Sequence, residues 1–182
     1  MAPTPDRGAR LVLLIGVVLA VGGIAALVVA VVAANDSGDS APPIARPIES
    51  ALDDATPATA PFPGFTEVEL ALGADCVRLV VADEDPEKAD GLRGREATAP
   101  YDGMLFVFDD THQASFTMQG VAAPLSIGWY EADGSPIDRT EMVPCPAERT
   151  DCPPYSARGP YRFAVETPGG ALSGGALGGC PS

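Results

Sequence analysis

The hydrophobic positions of this chain follow two patterns, first one unbroken apolar run and later a series of short alternations. Residues 11–34, LVLLIGVVLAVGGIAALVVAVVAA, contain no charge and no proline. As a helix this run would span about 36 Å, enough to cross a hydrocarbon core of about 30 Å. Arg7 and Arg10 precede the run, so the positive-inside tendency places residues 1–10 in the cytoplasm. The pattern predicts a single-pass membrane protein whose C-terminal part is extracytoplasmic.

The alternative is a secreted protein, because Val32, Ala33 and Ala34 resemble the small-residue cleavage site of a signal peptide. The apolar part of a signal peptide usually has about 7–15 residues, and this run is much longer, which favours the transmembrane helix. Both interpretations export everything after the run.

Residues 35–64 show neither pattern. They contain six prolines and scattered acidic side chains, without a sustained apolar period. This composition is typical of a disordered linker. As a flexible coil of about 30 residues it would reach about 30 Å, which would hold a folded domain clear of the lipid headgroups.

Alternation with a period of two begins after this linker, and one extracytoplasmic domain is predicted over residues 65–182. Val68, Leu70 and Leu72 alternate with polar or small residues, and a second apolar strand follows over residues 76–82. The short connection between them predicts a hairpin.

One short helix is predicted after the hairpin. Asp85 can accept from the free amides of a first turn, Pro86 suits the first helical position, and Glu87 favours the positive end of the helix dipole. Gly91 is expected to end the helix.

Five further runs have strand patterns, and the first of them is apolar on both faces, as in a central strand. These runs are residues 104–108, 114–119, 125–130, 137–141 and 161–167, followed by a Gly-rich tail. About seven strands with one short helix predict a mainly β (α+β) domain, built as a compact antiparallel, barrel-like sheet.

The net charge of the exported part limits the classes of partner that it can bind. Of the charged residues, only Asp6, Arg7 and Arg10 precede the apolar run, so the rest of the chain has 9 basic and 24 acidic residues and a formal charge of −15. A strongly acidic domain repels phosphate backbones, so nucleic acid is excluded as a partner. Acidity by itself also keeps a surface domain soluble.

All four cysteines lie in the exported part, where disulfides persist. Cys145 and Cys152 bracket a short Pro-flanked loop, so they are predicted to pair, which leaves Cys76 to pair with Cys180. The chain has no C-x-x-C element and a single histidine, His112, so neither a zinc site nor a thiol redox site is predicted. No other metal or cofactor is predicted.

Four segments of the folded part resemble those of a known family in both order and spacing. They are VADEDPEKADGLRGRE, YDGMLFVFDD, SFTMQGVAAPLSIGWYEADG and VPCPAERTDCPPY. The chain resembles the uncharacterised ACR family, domain-of-unknown-function family 192. The resemblance implies a small, mostly β, often exported domain without an established activity. The chain departs from the family's usual polar residues at Asp90, Gln119, Gly120 and Ser126, so the resemblance predicts the fold rather than a reaction.

The residues that could form a catalytic centre do not have the spacing or context of a known catalytic motif. His112 follows Asp109 and Asp110 in what is predicted to be an exposed turn, and these acids lack the spacing of a calcium loop. The guanidinium groups of Arg93 and Arg95 could contact an anion, although internal ion pairs are the favoured explanation for them.

Polar residues that share one side of two predicted strands form a second candidate site. If those strands are neighbours, their polar faces would line a shallow cleft. The simpler and favoured interpretation is an ordinary solvent-facing side of the sheet. The candidate residues are Ser115, Thr117, Gln119, Ser126 and Tyr130.

With no catalytic constellation, the sequence predicts a non-catalytic binding or assembly module at the bacterial cell envelope. Its partners are expected to be the membrane, through the N-terminal helix, and an envelope protein or polymer. The alternative is a hydrolase acting on cell-envelope polymers.

Overall fold

The computed structural model describes residues 47–95 and 97–181. The predicted cytoplasmic segment, the predicted transmembrane helix and the first part of the predicted linker lie outside these residues. Within the described ranges, no helix is both long enough and apolar enough to cross a bilayer.

Within these residues the chain forms two short helices and ten strands. The helices are α1 (Ile48–Leu52) and α2 (Asp85–Asp90). The strands are β1 (Thr56–Pro57), β2 (Thr66–Leu72), β3 (Asp75–Ala82), β4 (Gly103–His112), β5 (Phe116–Thr117), β6 (Leu125–Tyr130), β7 (Pro136–Met142), β8 (Pro154–Tyr155), β9 (Tyr161–Pro168) and β10 (Leu177–Gly179).

Eight of the strands form one sheet in the order β1-β2-β3-β4-β9-β6-β7, with β10 also paired to β2, while β5 and β8 form a separate pair. Strands β3 and β4 are parallel, and the other neighbours in the sheet are antiparallel. The prediction of an antiparallel, barrel-like sheet with one helix is therefore wrong: the sheet is mixed and open, and there are two helices. The parallel pair arises because α2 carries the chain back across the sheet between β3 and β4, as parallel pairing requires.

Successive residues along the central strands point into two apolar layers, one on each side of the sheet. One layer includes Val80, Ala82, Met104, Phe106, Ile127 and Trp129. The other includes Leu79, Val81, Leu105, Phe163 and Val165, covered by Ile48 and Ala51 of α1. Burial on both faces explains the uninterrupted apolar run of residues 104–108 in β4.

The locally determined elements agree with their predictions. Strands β2 and β3 form the predicted hairpin, β4 lies in the middle of the sheet, and α2 is followed by Gly91 with a φ of 48°. The helix start differs slightly, because Glu84 is the N-cap. The Glu84 amide donates to Oε2 of Glu87 at 3.3 Å, a bond within a capping box.

Part of the predicted linker belongs to the folded domain. Ile48 and Ala51 are buried in α1, and Phe62 is fully buried. The Thr59 amide donates to the Tyr101 hydroxyl at 2.7 Å. The prediction that residues 47–64 belong to a linker is therefore wrong. Their apolar residues are spaced too irregularly to form a recognisable period, but Ile48, Ala51 and Phe62 are each buried in the fold.

Ile48→Ala should lower the free energy of unfolding by about 2 kcal/mol, at the low end for a buried Ile because α1 lies at the edge of the core and can partly collapse. Ile48 is only 2% exposed. Chemical denaturation of the full chain measures the change. The exposed neighbour Glu49 supplies the matched control, since Glu49→Ala should change stability by no more than about 0.5 kcal/mol. Equal effects of the two variants would show that α1 does not contribute to the core.

Both predicted disulfides are present. Cys145 and Cys152 close a loop. The side-chain amide of Gln119 donates to two carbonyl oxygens of that loop, those of Ala147 and Arg149. Cys76, in β3, is bonded to Cys180, one residue beyond β10. This second bond attaches the C-terminal tail to the hairpin on which β10 pairs.

Candidate functional site

A cleft with a volume of about 540 Å³ opens between α2, the loop after it, the end of β4 and the segment around β5. Its walls combine aromatic and aliphatic groups with charged ones. They include Leu92, Arg93, Phe106, Phe108, Asp109, Asp110, His112, Ser115, Phe116, Thr117, Val121, Tyr161 and Glu166.

Glu166 is the unusual group of this cleft. It lies in the interior of β9, paired with Met104 of β4 and Ile127 of β6, and is only 5% exposed. No described residue donates a hydrogen bond to its carboxyl group. Burial raises the pKa of Glu166 to about 8, although the positive charge of Arg93 opposes the shift. At neutral pH the side chain is therefore mainly a neutral acid with an unused O–H donor.

Arg93 brings a positive charge to the same cleft. The preceding Leu92 is buried, and the Gly94 amide donates to the Gly120 carbonyl at 2.9 Å, which holds the loop in place. The Arg93 guanidinium donates a long hydrogen bond of 3.4 Å to Thr117 Oγ1 and forms no ion pair with any described residue. Most of its N–H groups are thus available to a ligand.

An aromatic wall flanks these two groups. Phe106 and Phe116 meet edge to face with ring centroids 5.1 Å apart, and His112 stacks on Phe108 at 4.3 Å. The Tyr161 hydroxyl donates to the Ala114 carbonyl at 3.0 Å. His112 is the last residue of β4, so the predicted exposed turn around it is wrong: the strand continues beyond its apolar part.

Three of the seven predicted site residues line this cleft: Arg93, Ser115 and Thr117. Ser115 is also hydrogen-bonded to Ser156 through their hydroxyl groups, which lie 2.7 Å apart. The cleft is therefore partly built from polar groups that the sequence singled out.

The other predicted residues have structural contacts elsewhere. Arg95 donates to the Pro61 carbonyl at 2.8 Å and lies over the Phe62 ring at 4.3 Å. Gln119 binds the disulfide loop. Neither lines the cleft.

The shared polar face on two neighbouring strands does not form, because β5 pairs with β8 and not with β6. Ser126 is completely buried, donates to the Glu141 carboxylate at 2.7 Å and accepts from the Gly170 amide. Tyr130 is also buried, and this burial raises its pKa to about 12. The prediction that Ser126 and Tyr130 line a cleft is wrong, since both faces of β6 are covered.

A sequence model of the family DUF192, described as uncharacterized ACR, matches residues 68–177. The chain belongs to this family. The match includes every residue named in the cleft and confirms the resemblance seen in the four sequence segments. No curated protein matches the chain significantly.

Two solved structures resemble this DUF192 chain. One is a protein of unknown function from Novosphingobium aromaticivorans DSM 12444, 26% identical, with a TM-score of 0.54, covering 66% of this chain and 86% of that chain. The other is a putative transcription regulator from Sinorhizobium meliloti 1021, 24% identical, with a TM-score of 0.52, covering 62% of this chain and 92% of that chain. The second similarity concerns the fold alone.

Sequence reasoning missed Glu166, whose pKa burial raises well above its ordinary value in this DUF192 domain. The available signal was an acidic residue directly after the apolar stretch FAV, residues 163–165. A carboxyl group inside a strand buried on both faces is costly unless it has a partner or a function. The sequence does not identify the neighbours of β9 in the sheet or what packs on its two faces. Without that information, Glu166 is predicted to face solvent.

Proposed function

We propose that this protein is an extracytoplasmic binding module, tethered by residues 11–34, that holds a small ligand in the cleft above Glu166. The observation that carries the proposal is that one cleft is lined by two charged or titratable groups that form no salt bridge with any described residue: the carboxyl group of the largely buried Glu166 and the guanidinium group of the exposed Arg93. A volume of about 540 Å³ lies within the range of small-molecule sites. Perturbed titratable groups in a cleft are a common mark of such sites.

The extracytoplasmic location is supported by the two disulfides, because such bonds persist in oxidising compartments. The apolar run and its basic flank agree with export. The proposed ligand is therefore a component of the cell envelope or of the surrounding medium.

Binding fits the cleft better than hydrolysis does. A hydrolase places its nucleophile or base within hydrogen-bond reach of a group that activates or orients it. Among the described residues, no hydrogen bond joins Glu166 or His112 to another titratable side chain, and the His112 ring is stacked on Phe108.

A hydrolase acting on envelope polymers is the second candidate, and one observation favours it. A carboxyl group with a pKa of about 8 can donate a proton to a leaving group at neutral pH. Asp109 and Asp110 line the same cleft, and glycoside hydrolysis uses two carboxyl groups.

A fragment screen by ligand-observed NMR tests the binding proposal on the full chain. Thr117→Trp places a large ring in the cleft, so fragments that bind the native protein should lose their saturation-transfer signals with this variant. Thr140→Trp is the matched control, since Thr140 is exposed on β7 and outside the cleft. Binding that survives Thr117→Trp, or a screen without any binder, would contradict the proposal.

Glu166→Gln separates the two candidate functions in the same protein. Glutamine keeps a hydrogen-bond donor but carries no proton to transfer. Hydrolysis of a labelled envelope polymer should therefore fall by about 100-fold or more, whereas ligand affinity should change by less than about tenfold.

A further inference from the structure

We propose that the cleft recognises a carboxylate: the exposed Arg93 and the Glu166 carboxyl group both donate to the carboxylate of an organic acid whose apolar body lies against Phe106, Phe116 and Tyr161. The inference deepens the proposed binding function and rests on it. It assigns a chemical class to the ligand, namely a monocarboxylate with an apolar body.

The Glu166 side chain supplies the first half of the recognition. In its neutral form it has one O–H donor, and no described residue accepts from it. Glu166 lines the cleft although its side chain is almost entirely buried, so a ligand acceptor in the cleft can reach this donor. An O–H donor facing a carboxylate makes a short, charge-assisted bond, which is the strongest pairing available to it.

The Arg93 side chain supplies the second half. Its planar guanidinium matches the two oxygens of a carboxylate, and the hydrogen bond to Thr117 Oγ1 engages one nitrogen only. A cationic ligand would be repelled by Arg93 and would require Glu166 to ionise in a buried position. An anion can accept hydrogen bonds from both Arg93 and the protonated Glu166, so it fits the charge of each group.

The residues that line the walls of the cleft indicate the chemistry of the rest of the ligand. The partly exposed Phe116, together with the largely buried Leu92, Phe106 and Val121, lines the cleft with carbon and no donors, which suits a hydrocarbon or aromatic body. Lys88 is already occupied, because it pairs with Asp85 at 3.5 Å and donates to the Val107 carbonyl at 3.3 Å.

The remaining charges of the cleft are negative. Asp90, Asp109 and Asp110 line it and form no ion pair with described residues. Their repulsion of an anion grows with the charge of that anion, so it disfavours phosphates and dicarboxylates more than a monocarboxylate. This carboxylate can belong to a free organic acid or to the C-terminus of a peptide.

Isothermal titration calorimetry on the full chain in lipid nanodiscs tests the assignment. The probes are 4-phenylbutyrate, its amide, the corresponding amine, and N-acetylphenylalanine as a mimic of a peptide C-terminus; empty nanodiscs correct for partitioning into lipid. The acid should bind at least tenfold more tightly than its amide, and the amine should not bind. Tighter binding of N-acetylphenylalanine would indicate a peptide terminus, and tighter binding of 4-phenylbutyrate a free organic acid.

Arg93→Gln should weaken binding of the acid at least tenfold and leave the weaker binding of the amide unchanged. Arg158→Gln is the matched control, because Arg158 is 77% exposed, pairs with Asp138 and lies outside the cleft. The inference is overturned if Arg93→Gln has no effect, if the amide or amine binds as tightly as the acid, or if neither acid binds. Binding of the amide or amine that Thr117→Trp abolishes would retain the binding function and reject only the carboxylate.

Discussion

Replacing Cys76 and Cys180 together by serine is expected to lower the free energy of unfolding by about 4–5 kcal/mol. The two residues are separated by 104 positions, so the bond restricts the unfolded chain over most of the domain. In the fold it holds the tail beside β2, where Leu177 of β10 is buried. Its loss therefore releases an edge strand as well as a long loop.

Urea denaturation followed by tryptophan fluorescence measures this change, since Trp129 is the single tryptophan and is fully buried. The matched control removes Cys145 and Cys152, which are separated by 7 positions and should contribute about 2–3 kcal/mol. An equal or larger loss from the short loop would show that chain length between the cysteines does not set their contribution.

Glu166→Gln is expected to stabilise the protein by an amount that grows as the pH rises. The carboxyl has an ordinary pKa of 4.5 and a pKa of about 8 in the fold. Between these values the folded state binds more protons than the unfolded state, so native stability falls with rising pH. Glutamine is neutral at every pH. The free energy of unfolding of Glu166→Gln should therefore exceed that of the native protein by an amount that grows from near zero at pH 4.5 to the order of 5 kcal/mol above pH 8.

Urea denaturation of both proteins at several pH values provides the measurement. Glu131→Gln is the control, because Glu131 is exposed and its replacement should change stability by no more than about 0.5 kcal/mol. A constant difference between Glu166→Gln and the native protein across the range would mean that the buried carboxyl does not titrate differently in the fold.

Sequence reasoning succeeded where the relevant interactions are local. The β2–β3 hairpin follows from two alternating runs around a short turn, and the end of α2 follows from Gly91. The Cys145–Cys152 pair follows from a loop of a few residues. In each case the partners are close in the chain, so the pattern that identifies them is contained in one short segment.

Sequence reasoning failed where distant segments meet. Phe62 fills a site formed in part by Phe65 and Tyr101, and nothing in its own neighbourhood marks it as buried. Ser126 was expected to face a cleft with Thr117, but its strand lies between β9 and β7 while Thr117 pairs with β8. Alternation identifies the two faces of a strand without identifying what covers each face.

The sequence by itself therefore determined most of the strands, the family and the two disulfide pairs, because period, turn residues and cysteine spacing act over short ranges or leave few choices. Tertiary structure decided the open mixed sheet, the inclusion of residues 47–64 and the joining of Glu166 with Arg93 in one cleft. The physical reason is that strand order depends on how both faces of the whole sheet are buried together. The protonation of Glu166 is a consequence of that burial.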